Sequence, residues 1–209
     1  MKRRAFLTAI SVAALGLAGG ARADAVDDAL KDIAKARQGL TTLKATFKQS
    51  RTIGLLASQV DSTGKMWLVR PDRLRWELDP PDAVTYWIGP EGIAVKSGEG
   101  VTKIGKSAAG KFGAVLEDLM ILLGGDLAKL KKRYQLGVER PDGNLVLSAR
   151  PKDPELKKHI ALLTMATDAS LWRVTRVEIH EQSGDKSVIA FAGYVKNEPI
   201  DPDVMKPPK

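Results

Sequence analysis

The 209-residue sequence contains no cysteine and only two histidines, which narrows the chemistry open to it. Without cysteine there is no disulfide, no thiolate metal site and no lipid-modified N-terminal cysteine. Neither His159 nor His180 has the neighbouring partners of a zinc site or a His-based triad, apart from Glu178, two positions before His180. No Gly-x-Ser-x-Gly segment occurs either. We therefore expect no metal, no cofactor, no catalytic residue and no enzymatic activity.

The sequence also lacks basic runs with interleaved aromatic residues. The net charge is +8, but the first 23 residues hold Lys2, Arg3, Arg4 and Arg22 and no acid, so the remainder carries about +4. This mild excess does not indicate nucleic-acid binding. Paired carboxylates such as Glu117-Asp118 fall on the surface of a predicted helix, where we expect them to be solvated. A hydrophobic fraction of 44% suits one globular domain with a real core.

Residues 1–23 have the pattern of an export signal. A basic end is followed by an apolar stretch from Phe6 to about Ala18, which is too short to span a bilayer well. Ala21-Arg22-Ala23 supplies a small-x-small cleavage site, which predicts a mature domain over 24–209. The Arg3-Arg4 pair suits a twin-arginine signal as well as a general-secretion signal. Either route predicts an exported protein, periplasmic in a bacterium with two membranes.

The remaining pattern predicts an α+β domain of about 9–11 mostly antiparallel strands. A helix is expected over 27–39, a strongly apolar helix over 112–123 and a short helix over 127–134. The turn signals are placed at 54–63, 141–144, 168–170 and 183–185, with an irregular tail from 197. No internal repeat is visible.

The stretch from Gly64 to Leu78 organises this pattern. Its even positions share one strand face and are apolar, with the exception of Arg70. That face is either ordinary core or the wall of a cavity covered by the helix over 112–123. A guanidinium among apolar side chains is costly unless its donors are satisfied. One alternative is that carbonyl oxygens at a helix end accept hydrogen bonds from Arg70 and so hold a lid closed. The other is that Arg70, beside the bend at Pro71, reaches solvent.

Residues 100–107 fit the phosphate-loop pattern G-x-x-x-x-G-K-[ST]. The flanking chain has the pattern of an antiparallel meander instead of βαβ units, and an exported protein meets almost no nucleoside triphosphate. We therefore rank a nucleotide-binding enzyme below a binding protein.

Three segments resemble the outer-membrane lipoprotein carrier family (LolA-like proteins). They are "G-K-M-W-L-V-R-P-D-R-L-R-W" from Gly64 to Trp76, "L-x-x-L-K-A-T-F-K-Q" from Leu40 to Gln49, and "F-A-G-Y-V-K-N-E-P-I-D-P-D-V-M-K-P-P" from Phe191 to Pro208. The resemblance implies a single-domain, unclosed antiparallel β-barrel. An N-terminal helix and a helical lid at about 112–134 accompany the barrel, and the lid covers an apolar cavity.

The same resemblance implies a monomeric carrier of acylated lipoproteins. Such a carrier takes its cargo from an inner-membrane ABC transporter to an outer-membrane acceptor. In the family the arginine of the R-P pair, here Arg70, holds the lid closed. The acyl cavity is then expected to be lined by Met66, Leu68, Leu74, Trp76, Leu116, Leu119, Met120 and Leu123. The lid region is rich in lysine at 129–133 and lacks aromatics, so a carrier or sensor of another acylated lipid stays open.

Overall fold

The computed structural model describes residues 18–54, 58–105 and 110–208, with the backbone alone for 18–23, 110–112 and 114. Within these residues eleven strands form one antiparallel sheet. They are β1 (Thr42–Ile53), β2 (Ser58–Val69), β3 (Arg73–Leu78), β4 (Thr85–Gly89), β5 (Gly92–Ser97), β6 (Gly100–Gly105), β7 (Tyr134–Glu139), β8 (Leu145–Pro151), β9 (Ile160–Thr167), β10 (Val174–Glu181) and β11 (Lys186–Lys196).

The strand order is β6-β5-β4-β3-β2-β1-β11-β10-β9-β8-β7. The first and last strands therefore pair in the middle of the sheet, and β6 and β7 are its two edges. Every pairing of neighbours is antiparallel. The predicted unclosed antiparallel barrel of about 9–11 strands is confirmed.

Three helices accompany the sheet in the described residues: α1 (Ala18–Ala36), α2 (Gly110–Gly124) and the short α3 (Pro154–Lys157). Short 3₁₀ helices span Leu127–Lys132 and Pro141–Gly143. The stripe of α1 that holds Val26, Ala29, Leu30 and Ile33 is buried, as its spacing predicts. The helix begins before the predicted cleavage point at 23–24, and residues 1–17 of the predicted signal lie outside the described residues. Among the helices described, none is long and apolar enough to cross a membrane.

The even face of the central stretch is buried. Met66, Leu68, Leu74 and Trp76 are each at most 4% exposed, and Met66 lies directly opposite Trp76 in the β2–β3 register. Trp67 and Val69 on the other face are half-buried, so this part of the sheet is covered on both sides. The prediction that the even positions share an apolar face is confirmed.

One element prediction was wrong, and one short helix was not predicted. Residues 58–63 were expected in a turn, but they belong to β2 and pair with β1 as far as Ser58 opposite Ile53. These residues lack apolar alternation because they are largely exposed, and main-chain pairing alone extends the strand. The short helix α3 was not predicted; Asp153 caps it by accepting a hydrogen bond from Leu156 N at 2.9 Å.

The phosphate-loop pattern lies at the end of an edge strand. β6 pairs antiparallel with β5, whereas a phosphate loop follows a strand of a parallel βαβ unit. Lys106 and Ser107 lie outside the described residues.

Gly64 is the point where an aromatic side chain crosses the sheet. A Cβ at this position would lie 2.1 Å from the Glu77 carbonyl oxygen and 2.4 Å from Phe47 Cζ. The missing side chain lets the Phe47 ring pass over β2 and stack on Trp76, two strands away, with 3.8 Å between ring centroids.

We expect Gly64→Ala to lower the free energy of unfolding by at least about 1–3 kcal/mol, because the backbone of β3 and the Phe47 ring must both shift. Urea denaturation measures this change. Gly98→Ala is the matched control, because a Cβ there meets nothing within 4 Å. Equal effects of the two substitutions would contradict this account of Gly64.

Candidate functional site

A cavity of about 650 Å³ lies between the sheet and α2. Its volume falls within the range of about 300–1,000 Å³ that is usual for small-molecule sites. The apolar residues of its wall come from α2, from α3 and from both halves of the sheet. They are Trp76, Leu78, Val84, Val115, Leu116, Leu119, Leu156, Ile160, Ile179 and Ile189. Polar lining residues include Arg51 and Asp82, which are exposed. The cavity is therefore apolar inside and polar toward solvent.

An aromatic cluster fixes the position of Trp76 in this wall. Its indole stacks on Phe47 and meets Phe191 edge to face at 5.9 Å between centroids. Both neighbours are nine-tenths or more buried. The Trp76 ring is therefore held by packing from β1 and β11, so this wall is preformed.

Three of the eight residues predicted to bind acyl chains line the cavity: Trp76, Leu116 and Leu119. The other five pack in or against the hydrophobic core, outside this lining: Met66, Leu68, Leu74, Met120 and Leu123. The contact of any of the eight with a ligand stays a prediction. Val115 and Ile189 line the cavity but were not predicted, because a single alternating pattern does not tell which apolar residues border a cavity.

Arg70 is bonded to the end of α1. Its Nη1 donates hydrogen bonds to the carbonyl oxygens of Arg37 and Leu40, at 3.0 and 3.1 Å. A cation is favourable there because the carboxyl end of a helix carries partial negative charge. Among the described residues, none of its hydrogen bonds reaches α2. The latch role of Arg70 toward the lid stays a prediction.

Arg37 makes the direct contact with α2. Its Nη2 donates to the Leu122 carbonyl oxygen at 2.7 Å, and its Nη1 donates to that of Gly125 at 3.4 Å. The residue is only 2% exposed. Burial lowers the pKa of Arg37 to about 10, and the charge of Arg70 adds to this lowering. The guanidinium therefore stays protonated at neutral pH and serves as a buried cation at the carboxyl end of α2.

The two arginines connect three elements in series. Arg70 at the end of β2 holds the end of α1, and Arg37 at the end of α1 holds the end of α2. Sequence reasoning missed Arg37 as a functional residue, although the signal was present. It falls within the apolar stripe of the first helix, where a charged side chain needs a buried partner.

Asp118, on α2, is fully buried, so the prediction that it is solvated was wrong. Its carboxylate accepts a hydrogen bond from Arg133 Nη1 at 2.9 Å and a second from the Tyr134 hydroxyl. Burial raises the pKa of Asp118 to about 6, although the Tyr134 hydrogen bond and the Arg133 charge both lower it. Burial and the nearby carboxylate raise the pKa of Tyr134. This cluster ties the middle of α2 to the start of β7.

An open antiparallel barrel with a helix held across an apolar cavity is the class that this geometry defines. The sequence profile described as "Outer membrane lipoprotein carrier protein LolA" matches residues 38–86, from before β1 into β4. An outer-membrane lipoprotein carrier protein from Erwinia tasmaniensis is 26% identical over 199 residues, which cover 92% of this chain and 88% of that protein. The chain is therefore similar to outer-membrane lipoprotein carriers, and the resemblance found in its sequence is confirmed.

Solved structures support the fold. A DUF1329 family protein from Desulfovibrio piger superposes with a TM-score of 0.53 at 12% identity, over 87% of this chain and 97% of that chain. A LolA superfamily protein from Nitrosomonas europaea superposes with a TM-score of 0.51 at 10% identity, over the same two fractions. At these identities the likeness shows a shared fold and nothing about ligands.

We expect Arg37→Met to loosen α2 while the sheet stays intact. Methionine keeps the apolar volume but removes both donors, so the carbonyls of Leu122 and Gly125 lose their partners. Amide hydrogen exchange should speed up at least about tenfold in α2, with little change in β1 and β11. Arg140→Met is the control, because Arg140 forms an exposed ion pair with Asp32. Unchanged exchange in α2 would show that Arg37 does not hold it.

We expect Asp118→Asn to change the pH dependence of folding. Because the pKa of Asp118 is higher in the folded protein than in the unfolded chain, its proton stabilises the fold below about pH 4, and this contribution is lost as the pH rises through about 6. Urea denaturation at several pH values measures it. The difference between wild type and variant should shift by at most about 3 kcal/mol between pH 4 and pH 7. Parallel profiles would contradict the assignment.

Proposed function

We propose that this protein is a periplasmic carrier that binds the acyl chains of lipoproteins in the cavity beneath α2. It takes them from an inner-membrane ABC transporter and delivers them to an outer-membrane acceptor. The observation that carries the proposal is the half-enclosed apolar cavity of about 650 Å³. The similarity to an outer-membrane lipoprotein carrier protein over most of the chain supports the choice of cargo.

The energetics explain why such a carrier is needed. Exposing an acyl chain to water costs roughly 0.8 kcal/mol per methylene, so a chain of about ten methylenes costs roughly 8 kcal/mol. A lipid-anchored protein therefore does not leave a membrane unaided at a useful rate. A cavity lined by Trp76, Leu119 and Ile189 replaces the bilayer for the time of transit.

The cover proposed for this cavity is α2 together with the following 3₁₀ helix, at about 112–134. Leu116 and Leu119 of α2 line the cavity, while the carboxyl end of the same helix is held by Arg37. Opening the cover exchanges the Arg37 hydrogen bonds for water, whereas the bonds of Asp118 to Arg133 and Tyr134 lie within the cover. Arg70 contributes by fixing the end of α1 from which Arg37 projects. Binding and release need no covalent bond to be made or broken, which fits a protein without enzymatic activity.

We further propose that residues 1–23 direct export, by the general-secretion or the twin-arginine route, and are then removed. We also propose that the mature domain is monomeric.

Mass spectrometry of the molecules that co-purify with the protein from periplasm tests the cargo. An acylated protein supports the proposal. A free acylated lipid would favour the other carrier or sensor function, and the absence of any acylated molecule would overturn both.

We expect Val115→Trp to weaken the binding of a synthetic triacylated lipopeptide at least about tenfold, which is roughly 1.4 kcal/mol. Val115 is a half-buried residue of α2 that lines the cavity. An indole at this position occupies space that the acyl chains need, without displacing the core. Isothermal titration calorimetry measures the affinity.

Val101→Trp is the matched control, because Val101 is 37% exposed on the edge strand β6. It should bind the lipopeptide as the wild type does, and no variant should bind the same peptide without acyl chains. Equal affinity of Val115→Trp and Val101→Trp would place the acyl chains elsewhere.

A further inference from the structure

A second groove, of about 460 Å³, lies at the other end of α2. Its walls are α1, the junction of α2 with the 3₁₀ helix, and Arg70. The acyl cavity touches Val115, Leu116 and Leu119, whereas this groove touches Gly125 and Leu127. Its charged lining residues are Asp27, Lys31, Arg37, Arg70, Asp126 and Lys131.

The lysines and aspartates of this groove already have partners. Lys131 pairs with Asp27 at 2.6 Å, and Lys31 pairs with Asp28, just outside the groove, at 3.1 Å. The Asp126 carboxylate accepts a hydrogen bond from Ala128 N at 3.0 Å as the cap of the 3₁₀ helix. Among the residues that the structure describes, no carboxylate pairs with Arg37 or Arg70.

The two guanidiniums are therefore incompletely balanced. Each lies at the carboxyl end of a helix, Arg70 at α1 and Arg37 at α2, and such an end supplies roughly half a negative charge. Two full positive charges stand against two half charges and the carboxylate of Asp126, which forms no ion pair in the described residues, so the groove as a whole is close to neutral. Its positive charge is concentrated at the two guanidiniums, so an anion would bind there.

The groove also has hydrogen-bond donors without acceptors. Arg70 uses only Nη1 for its two carbonyl bonds. Its Nε and Nη2, which form the side-on edge of the guanidinium, donate to no group in the part of the chain that the structure describes. Nε of Arg37, a residue that is 98% buried, has no partner in the described structure either. The side-on edge of an arginine is suited to two parallel bonds to one oxyanion.

We propose that this groove binds a phosphate group, through the Nε–Nη2 edge of Arg70 and the charge of Arg37. The apolar wall beside the cations, from Leu30, Ile33, Ala34 and Leu127, leaves room for a glycerol unit attached to the phosphate. The phosphate is either free or part of a lipid headgroup. This site is separate in space from the acyl cavity, because it lies at the opposite end of α2.

Calorimetric titration of the full mature chain tests the site. The probes are sodium phosphate and glycerol 3-phosphate, with sodium chloride at matched ionic strength as the baseline. We expect saturable binding of phosphate with a Kd in about the millimolar range or tighter. Arg70→Gln should weaken it at least about tenfold, since it removes the side-on edge. Arg73→Gln is the control. Arg73 is close to Arg70 in the chain, but it pairs with Glu91 and does not line the groove.

Tighter binding of glycerol 3-phosphate than of phosphate would identify a headgroup site, and equal binding a free-phosphate site. Absence of saturable binding to the wild type would overturn the proposal, as would equal weakening by Arg70→Gln and Arg73→Gln. If Arg70→Gln does not fold, the site is tested instead by NMR of the wild type, from the side-chain Nε–H resonances of its arginines. Phosphate should shift those of Arg37 and Arg70, and a spectrum in which neither moves would also overturn the site. Lipopeptide binding is measured separately, so failure of either proposal leaves the other intact.

Discussion

The arrangement of the helices depends on two arginines, each placed at the carboxyl end of a helix. Arg70 holds the end of α1 through the carbonyls of Arg37 and Leu40, and Arg37 holds the end of α2 through those of Leu122 and Gly125. The sheet thereby positions α1, and α1 positions α2. The two links act in series from β2 through α1 to the cover of the cavity.

An aromatic cluster at the centre of the sheet fixes one wall of the cavity. Phe47 of β1 and Trp76 of β3 stack across the gap left by Gly64, and Phe191 of β11 packs edge to face on Trp76. Leu116, Leu119, Leu122 and Leu123 of α2 pack in the same buried core. Moving α2 away from the sheet would therefore expose these four leucines.

Much of the fold could be predicted from the sequence, and the site only in part. Alternation of apolar residues gave Met66, Leu68, Leu74 and Trp76 as one buried face, because side chains two apart share a face. Exposed strand ends such as 58–63 carry no such alternation and were missed. The hydrogen bonds of Arg37 and Asp118 were not predicted, because their partners lie 15 to 88 positions away in the sequence. No local pattern reports such a pairing.

The polar character of the cover suits reversible closing. A helix held only by apolar packing would be most stable when shut, because every contact of Leu116 and Leu119 is lost on opening. The buried charge of Arg37 opposes this tendency. Its guanidinium loses solvation in the closed form, as its lowered pKa indicates. Water returns this solvation when α2 opens, so hydrogen bonds lost on one side are offset by hydration gained on the other. The closed and open forms therefore lie closer in free energy than the apolar area of α2 alone would allow.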